Sequence, residues 1–144
     1  MASFSALGPV SAAIFNALNV AALLTLVPGG VNDVLPQTTT YPCLLFDVSD
    51  AKQFGGFGTQ PGRGQLPEMD VRIHVFSQQP DLSEAQAILA EALSLLATPP
   101  AVTGYASWAI FHDQTLDVGD QVVANVVVHE IVAICRLYVE QQGA

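Results

Sequence analysis

The sequence predicts an α+β domain, a mostly antiparallel sheet with two helices packed on it and a long glycine-rich arm between strands. Three observations lead there. Residues Met69 to Ser77 alternate apolar and polar side chains with the period of a half-buried strand. Residues 10–22 and 85–96 repeat apolar side chains at helical spacing instead. Between two hydrophobic segments, Asp50 to Leu66 concentrates five of the glycines, Gly55, Gly56, Gly58, Gly62 and Gly64. A loop that long is uncommon inside a compact domain unless it has a task.

The elements follow in order. Pro9 suits the first turn of a helix, and Val10, Ala13, Ile14, Ala17, Leu18, Ala21 and Ala22 form its apolar stripe. Asn19 is a candidate cap for a second short helix after a break, and Pro28-Gly29-Gly30 stops the run. Val31 to Leu35 and Tyr41 to Val48 read as strands, the second with Pro42 near its start, where a missing amide donor does least harm. Beyond the arm, Met69, Val71, Ile73 and Val75 face one side of the next strand, and Asp70, Arg72 and His74 the other. Asp81 or Ser83 caps the following helix, with Ser83 and Gln86 spaced as a capping box. Ala85, Ile88, Leu89, Ala92 and Leu96 give its buried stripe, and Pro99-Pro100 closes it. Tyr105 to Gln114 predicts a strand ending at a turn around Asp117 to Asp120. Gln121 to Glu140 predicts another, too long for one regular strand and divided by a bend or bulge near His129-Glu130.

Composition sets the bounds on function. The 144 residues fit one domain, 1–144, with one core. Charged residues make up 12 per cent, about half the usual share, while 51 per cent are hydrophobic. So little charge leaves apolar surface to be buried against other subunits. A net charge of −9 argues against a basic surface that grips nucleic acid, though not against one that DNA passes. Cys43 and Cys135 lie in strand-like apolar runs and read as buried free thiols. Residues 1–32 carry no charged side chain, but they lack a basic leader region, and Pro9 and Pro28 leave barely a spanning length between them. A core helix is the expectation, with no membrane partner.

The usual signatures of catalysis are missing. Gly55-Gly-Phe-Gly58 lacks the Lys-Ser/Thr of a phosphate loop, and a strand rather than a helix follows. His112-Asp113 and His129-Glu130 are adjacent pairs, whose side chains point to opposite faces of a strand. His74 and His129 could meet across the sheet, and Arg72 beside Glu130 or Glu68 reads as an ion pair. Neither G-x-S-x-G, C-x-x-C nor H-E-x-x-H occurs. No enzyme, cofactor or metal is expected.

Three stretches then resemble the tail-terminator, or tail-completion, proteins of long-tailed bacteriophages and related phage-derived particles. They are the opening helix into Leu26-Val-Pro-Gly-Gly-Val, Leu35-Pro-Gln and the Tyr41-Pro-Cys-Leu-Leu-Phe strand; Val71-Arg-Ile-His-Val-Phe-Ser77 with the helix Ser83 to Leu96; and the closing valine-rich strand through Arg136-Leu-Tyr138. The resemblance covers most of the chain and implies a virion subunit without chemistry. It implies a ring, typically a hexamer, that caps the tail tube, ends its polymerisation and meets the head-side connector protein at the head-proximal end of the tail. Assembly would take place in the host cytoplasm. The long arm departs from that pattern.

Two sets of residues are candidate sites. Lys52, Phe54, Gly55, Gly56, Phe57, Gly58 and Arg63 of the arm are expected to contact a neighbouring subunit or the tail tube protein, with the aromatics as anchors. Asp47, Asp50, Glu68 and Asp70 flank the arm and are expected to line or approach a channel in which DNA is only passing cargo. The rival readings are another neck component, such as a head-completion or connector-adaptor ring, and a small-ligand-binding α+β dimer with a pocket at His74 or His129.

Overall fold

The computed structural model describes residues 7–34, 39–54, 66–79, 81–123 and 125–141. Its elements are α1 (Leu7–Leu18), α2 (Ala21–Leu24), β1 (Val31–Asn32), β2 (Cys43–Phe54), β3 (Leu66–Ser77), α3 (Ser83–Leu95), β4 (Tyr105–Val123) and β5 (Val126–Gln141). One five-stranded sheet runs in the order β1-β2-β3-β5-β4; β1 pairs with β2 in parallel and every other pairing is antiparallel. The α+β expectation is met, with a third, short helix added.

Helices pack on one face only, α1 against β2 and α3 against β3 and β5. Val71, Ile73 and Val75 on β3 are fully buried there, with Leu44 and Phe46 beside them on β2 and Ala133, Cys135 and Leu137 on β5. Val10, Ile14 and Leu18 close this core from α1, and Ala85, Ile88 and Ala92 close it from α3. Burial of one such side chain stabilises the fold by about 1.5–3 kcal/mol. A smaller cluster of Cys43, Phe76 and Val128, with Tyr41 and Leu45, lies on the opposite face.

Local signals explain the joins. The break between α1 and α2 falls at Asn19, as expected, but the capping position is Val20, without a side-chain bond. Val20 instead offers its carbonyl to the amides of Leu23 and Leu24. Gly29 is held so closely that a Cβ there would lie 1.8 Å from the Thr40 carbonyl oxygen, and the Gly29 amide donates to Pro42. At α3 the Ser83–Gln86 box does not form: Leu82 is the capping position, and Gln86 donates from its amide to the Leu82 carbonyl. Asp81 still serves the helix start, because its carboxylate accepts from the Ser83 amide (3.0 Å) and hydroxyl (2.6 Å).

The C-terminal half differs most from expectation. Asp117 to Asp120 is not a turn, since β4 runs on to Val123. Gly119, at φ +99°, sits in a bulge where Val118 is the extra residue between the pairs Asp117–Ile131 and Gly119–Glu130. The long run from Gln121 divides not at His129-Glu130 but at a two-residue connection between Val123 and Val126, where Asn125 takes φ +66°. A glycine with positive φ serves a bulge as well as a turn, which explains the exchange. The bounds expected for the arm also change. Past a bulge at Ala51, pairing continues through Lys52–Glu68 and Phe54–Leu66, so Asp50 to Phe54 and Leu66 belong to strands.

Candidate functional site

Opposite the helices, the sheet carries a chain of charged side chains on three strands, extended to a fourth by a glutamine. Asp47 on β2 stands directly across from Arg72 on β3, and Arg72 Nη1 lies 3.3 Å from Asp47 Oδ1. His74 is one step along the same face and diagonal to two carboxylates, within reach for neighbours of that kind. Its Nε2 is 3.0 Å from Asp47 Oδ2, and its Nδ1 is 2.8 Å from Glu130 Oε2 on β5. Gln121 Nε2 on β4 donates to Glu130 Oε1 at 2.5 Å. Carboxylates only accept, so His74 can donate to both only as an imidazolium; a neutral ring has a single N–H. Phe76 stacks on the ring, with centroids 6.4 Å apart and planes 9° from parallel. Glu130 is buried, 8 per cent exposed, although no helix covers it.

The predicted site residues separate. Asp47 joins this network, and Asp70 lies on the same face, partly exposed, in register with Ser49 and Arg136. The backbones of Asp50 and Glu68 pair with Met69 and with Lys52 and Tyr138 respectively. Lys52 and Phe54 are on β2, while Gly55, Gly56, Phe57, Gly58 and Arg63 lie outside the described residues. Arg72 meets Asp47 rather than Glu130 or Glu68. His74 does not pair with His129, whose Nδ1 contacts Asp120 instead.

Two apolar features escaped the sequence reading. The β4–β5 ribbon continues past the end of β3, where Ser77 pairs with His129, and its tip exposes Val122 (73 per cent), Val126 and Val127. Valines on both sides of Ala124-Asn125 conceal the hairpin, because both faces of a two-stranded ribbon carry the same residue. The second feature is a groove of about 330 Å³ between α3 and the underside of β4 and β5, lined by Leu82, Leu89, Ala90, Leu93 and Ile131, with Gln86, Thr115 and Asp117 at its edge. Its signal was Leu93, one turn beyond Leu89, which widens the apolar stripe of α3, with Leu82 just ahead of the helix.

Both cysteines are buried and free, and burial pushes their thiols up to about 11, with Asp113 adding to the effect at Cys135. Asp81 is held below the ordinary carboxylate value by its hydrogen bonds from Ser83. Among the described residues no cluster of His, Cys, Asp and Glu is placed to hold a metal ion, and no helix is long and apolar enough to cross a membrane. What the surface does offer is contact area: a charged face, an apolar ribbon tip and an apolar groove.

Comparison with known proteins places this fold. A chain of the virion of a native gene transfer agent particle superposes with a TM-score of 0.72 at 18 per cent identity, over 96 per cent of this chain and 99 per cent of that one. The gp17 protein of bacteriophage SPP1 gives a TM-score of 0.53 at 22 per cent identity, over 96 and 94 per cent of the two chains. At such identities the likeness is one of fold. No curated protein sequence matches. The family model described as tail completion protein gp17 matches residues 12–132, most of the sequence. The chain belongs to the tail completion protein gp17 family, a family of structural proteins of the phage tail.

Proposed function

We propose that this tail-completion protein closes into a ring, of about six copies, at the head-proximal end of the tail tube, where it ends tube polymerisation and joins the tail to the head-side connector protein. The observation that carries the reading is the β4–β5 ribbon, whose apolar tip stands clear of its own core. Exposed apolar area of this kind marks an interface. Where the tip docks on a different patch of the next copy, the contact is heterologous, and its repetition about an axis closes a ring. Family membership supports the place in the virion. DNA is cargo in this reading, and the net charge of −9 favours a channel that phosphates slide through. Asp50, Glu68 and Asp70 are the carboxylates proposed to approach it. Asp47 is proposed there in its ion-paired form. Arm residues Lys52, Phe54 to Gly58 and Arg63 are proposed to contact a neighbouring subunit or the tube.

The test is tube growth. Purified tube protein polymerised with this chain should give tubes that stop lengthening and carry the chain at one end only. Unaltered growth, or decoration along the tube wall, would refute capping.

A further inference from the structure

We infer that the groove between α3 and β4 is the receptor for the β2–β3 loop, residues 55–65, of a second copy of this chain. This rests on the ring reading above and names its contact. The groove is apolar, through Leu82, Leu89, Leu93 and Ile131, and has one exposed carboxylate at its edge, Asp117. The segment from Asp81 to Val128, which supplies all of the groove's lining but Ile131, has six carboxylates, Asp81, Glu84, Glu91, Asp113, Asp117 and Asp120, and not one Lys or Arg, although Asp113 is paired with Arg136 of β5. The loop end of the β2–β3 hairpin has the opposite character: residues 51–67 hold Lys52 and Arg63, together with Phe54 and Phe57, and no carboxylate. An aromatic beside a cation suits an apolar groove with a carboxylate at its rim.

Geometry assigns the loop to a neighbour and not to its own groove. Eleven residues separate Phe54 from Leu66. Anchored at both ends, they reach at most about 19 Å from that edge of the sheet. Thr115 at the groove pairs with Ala133, which pairs with Ile73, seven residues along β3 from Leu66. Seven residues of strand span about 23 Å, before two strand widths sideways and passage to the helical face are added. Loop and groove therefore sit at opposite ends of one subunit. Joined head to tail, they make a heterologous contact that repeats around a ring. Phe57 fills the groove and Arg63 meets Asp117 in this arrangement.

Disulfide trapping in the full chain tests it. The native thiols are buried and high-titrating, so they do not compete. Oxidation of a Phe57→Cys/Ala90→Cys variant should give a ladder of covalent trimers and larger species on a non-reducing gel, whereas each single variant stops at a dimer. Only monomers, including an internally bridged monomer, would overturn the proposal. So would a ladder from Val122→Cys/Ala90→Cys in its place, which would make the ribbon tip the occupant. Asp117→Arg should weaken subunit association about tenfold, with recovery on adding Arg63→Asp; no recovery would contradict the pairing. Native mass of the unoxidised wild type separates the two levels of the claim. Rings without a ladder would reject the docking and keep the ring, whereas a discrete dimer would reject the ring.

Discussion

His74 Nδ1 lies 2.8 Å from Glu130 Oε2, a diagonal contact between β3 and β5 that ties a half-exposed charge chain to a buried carboxylate. The carboxylate has two partners, since Gln121 donates to its other oxygen. Truncating His74 therefore leaves a buried charge short of one donor.

His74→Ala should destabilise the chain by about 1–3 kcal/mol, the cost of leaving a buried polar group unsatisfied. The double variant His74→Ala/Glu130→Gln should lose less than the sum of the two single changes, because the residues share one network. Urea unfolding of the four proteins measures the coupling, and strict additivity would dissolve the network as an energetic unit.

In the bulge, nothing lies within 4 Å of a Cβ added at Gly119, so the only penalty for a side chain there is its φ of +99°. Gly119→Val should cost about 1–3 kcal/mol by backbone strain alone. Asn125→Gly, at φ +66°, should be close to neutral, while Asn125→Val should be destabilising. Thermal unfolding ranks the three.

Ile73→Ala removes a fully buried side chain from the central strand, which has neighbours on both sides. A loss of about 2–5 kcal/mol is expected. Substitution of the exposed Gln114 by Ala should move stability by less than about 0.5 kcal/mol.

The thiols predict an alkaline limit. In the fold, Cys43 and Cys135 keep their protons to about 11, against an ordinary value of 9.0. Their contribution is then fully present below pH 9 and is lost as pH rises from about 9 through about 11. Two units amount to about 2.7 kcal/mol per thiol as an upper figure. Denaturant midpoints should fall over that window, less so in Cys135→Ala, and thiol reagents at pH 8 should react only after unfolding.

Charge reversal at Asp50, Glu68 and Asp70 should impair DNA passage while leaving assembly intact. Infectivity or gene transfer measured beside the mass of the assembly separates these effects; normal transfer would remove the channel role.

Strand β3 was legible because its alternation is strict: Met69 to Val75 inward, Asp70 to His74 outward. The helix stripes were legible for the same reason, periodicity recording burial directly. The partners of His74 were not, because Asp47 and Glu130 reach it only through the registers Leu45–His74 and Phe76–Glu130, set by the whole sheet. The ribbon was hidden by valines on both faces, and its turn rests on a single Asn in place of a glycine. The bend expected at His129-Glu130 is absent, since β5 runs through it unbroken; the extra residue opposite is Val118 of β4. Caps were the least legible feature, since Val20 and Leu82 hold positions where a polar side chain was expected.

The central claim is the closed ring, and the mass of the assembly released intact from capped tubes tests it most directly. A single species of about six 15.2 kDa subunits is predicted. A monomer, a discrete dimer or an open-ended series of sizes would contradict it.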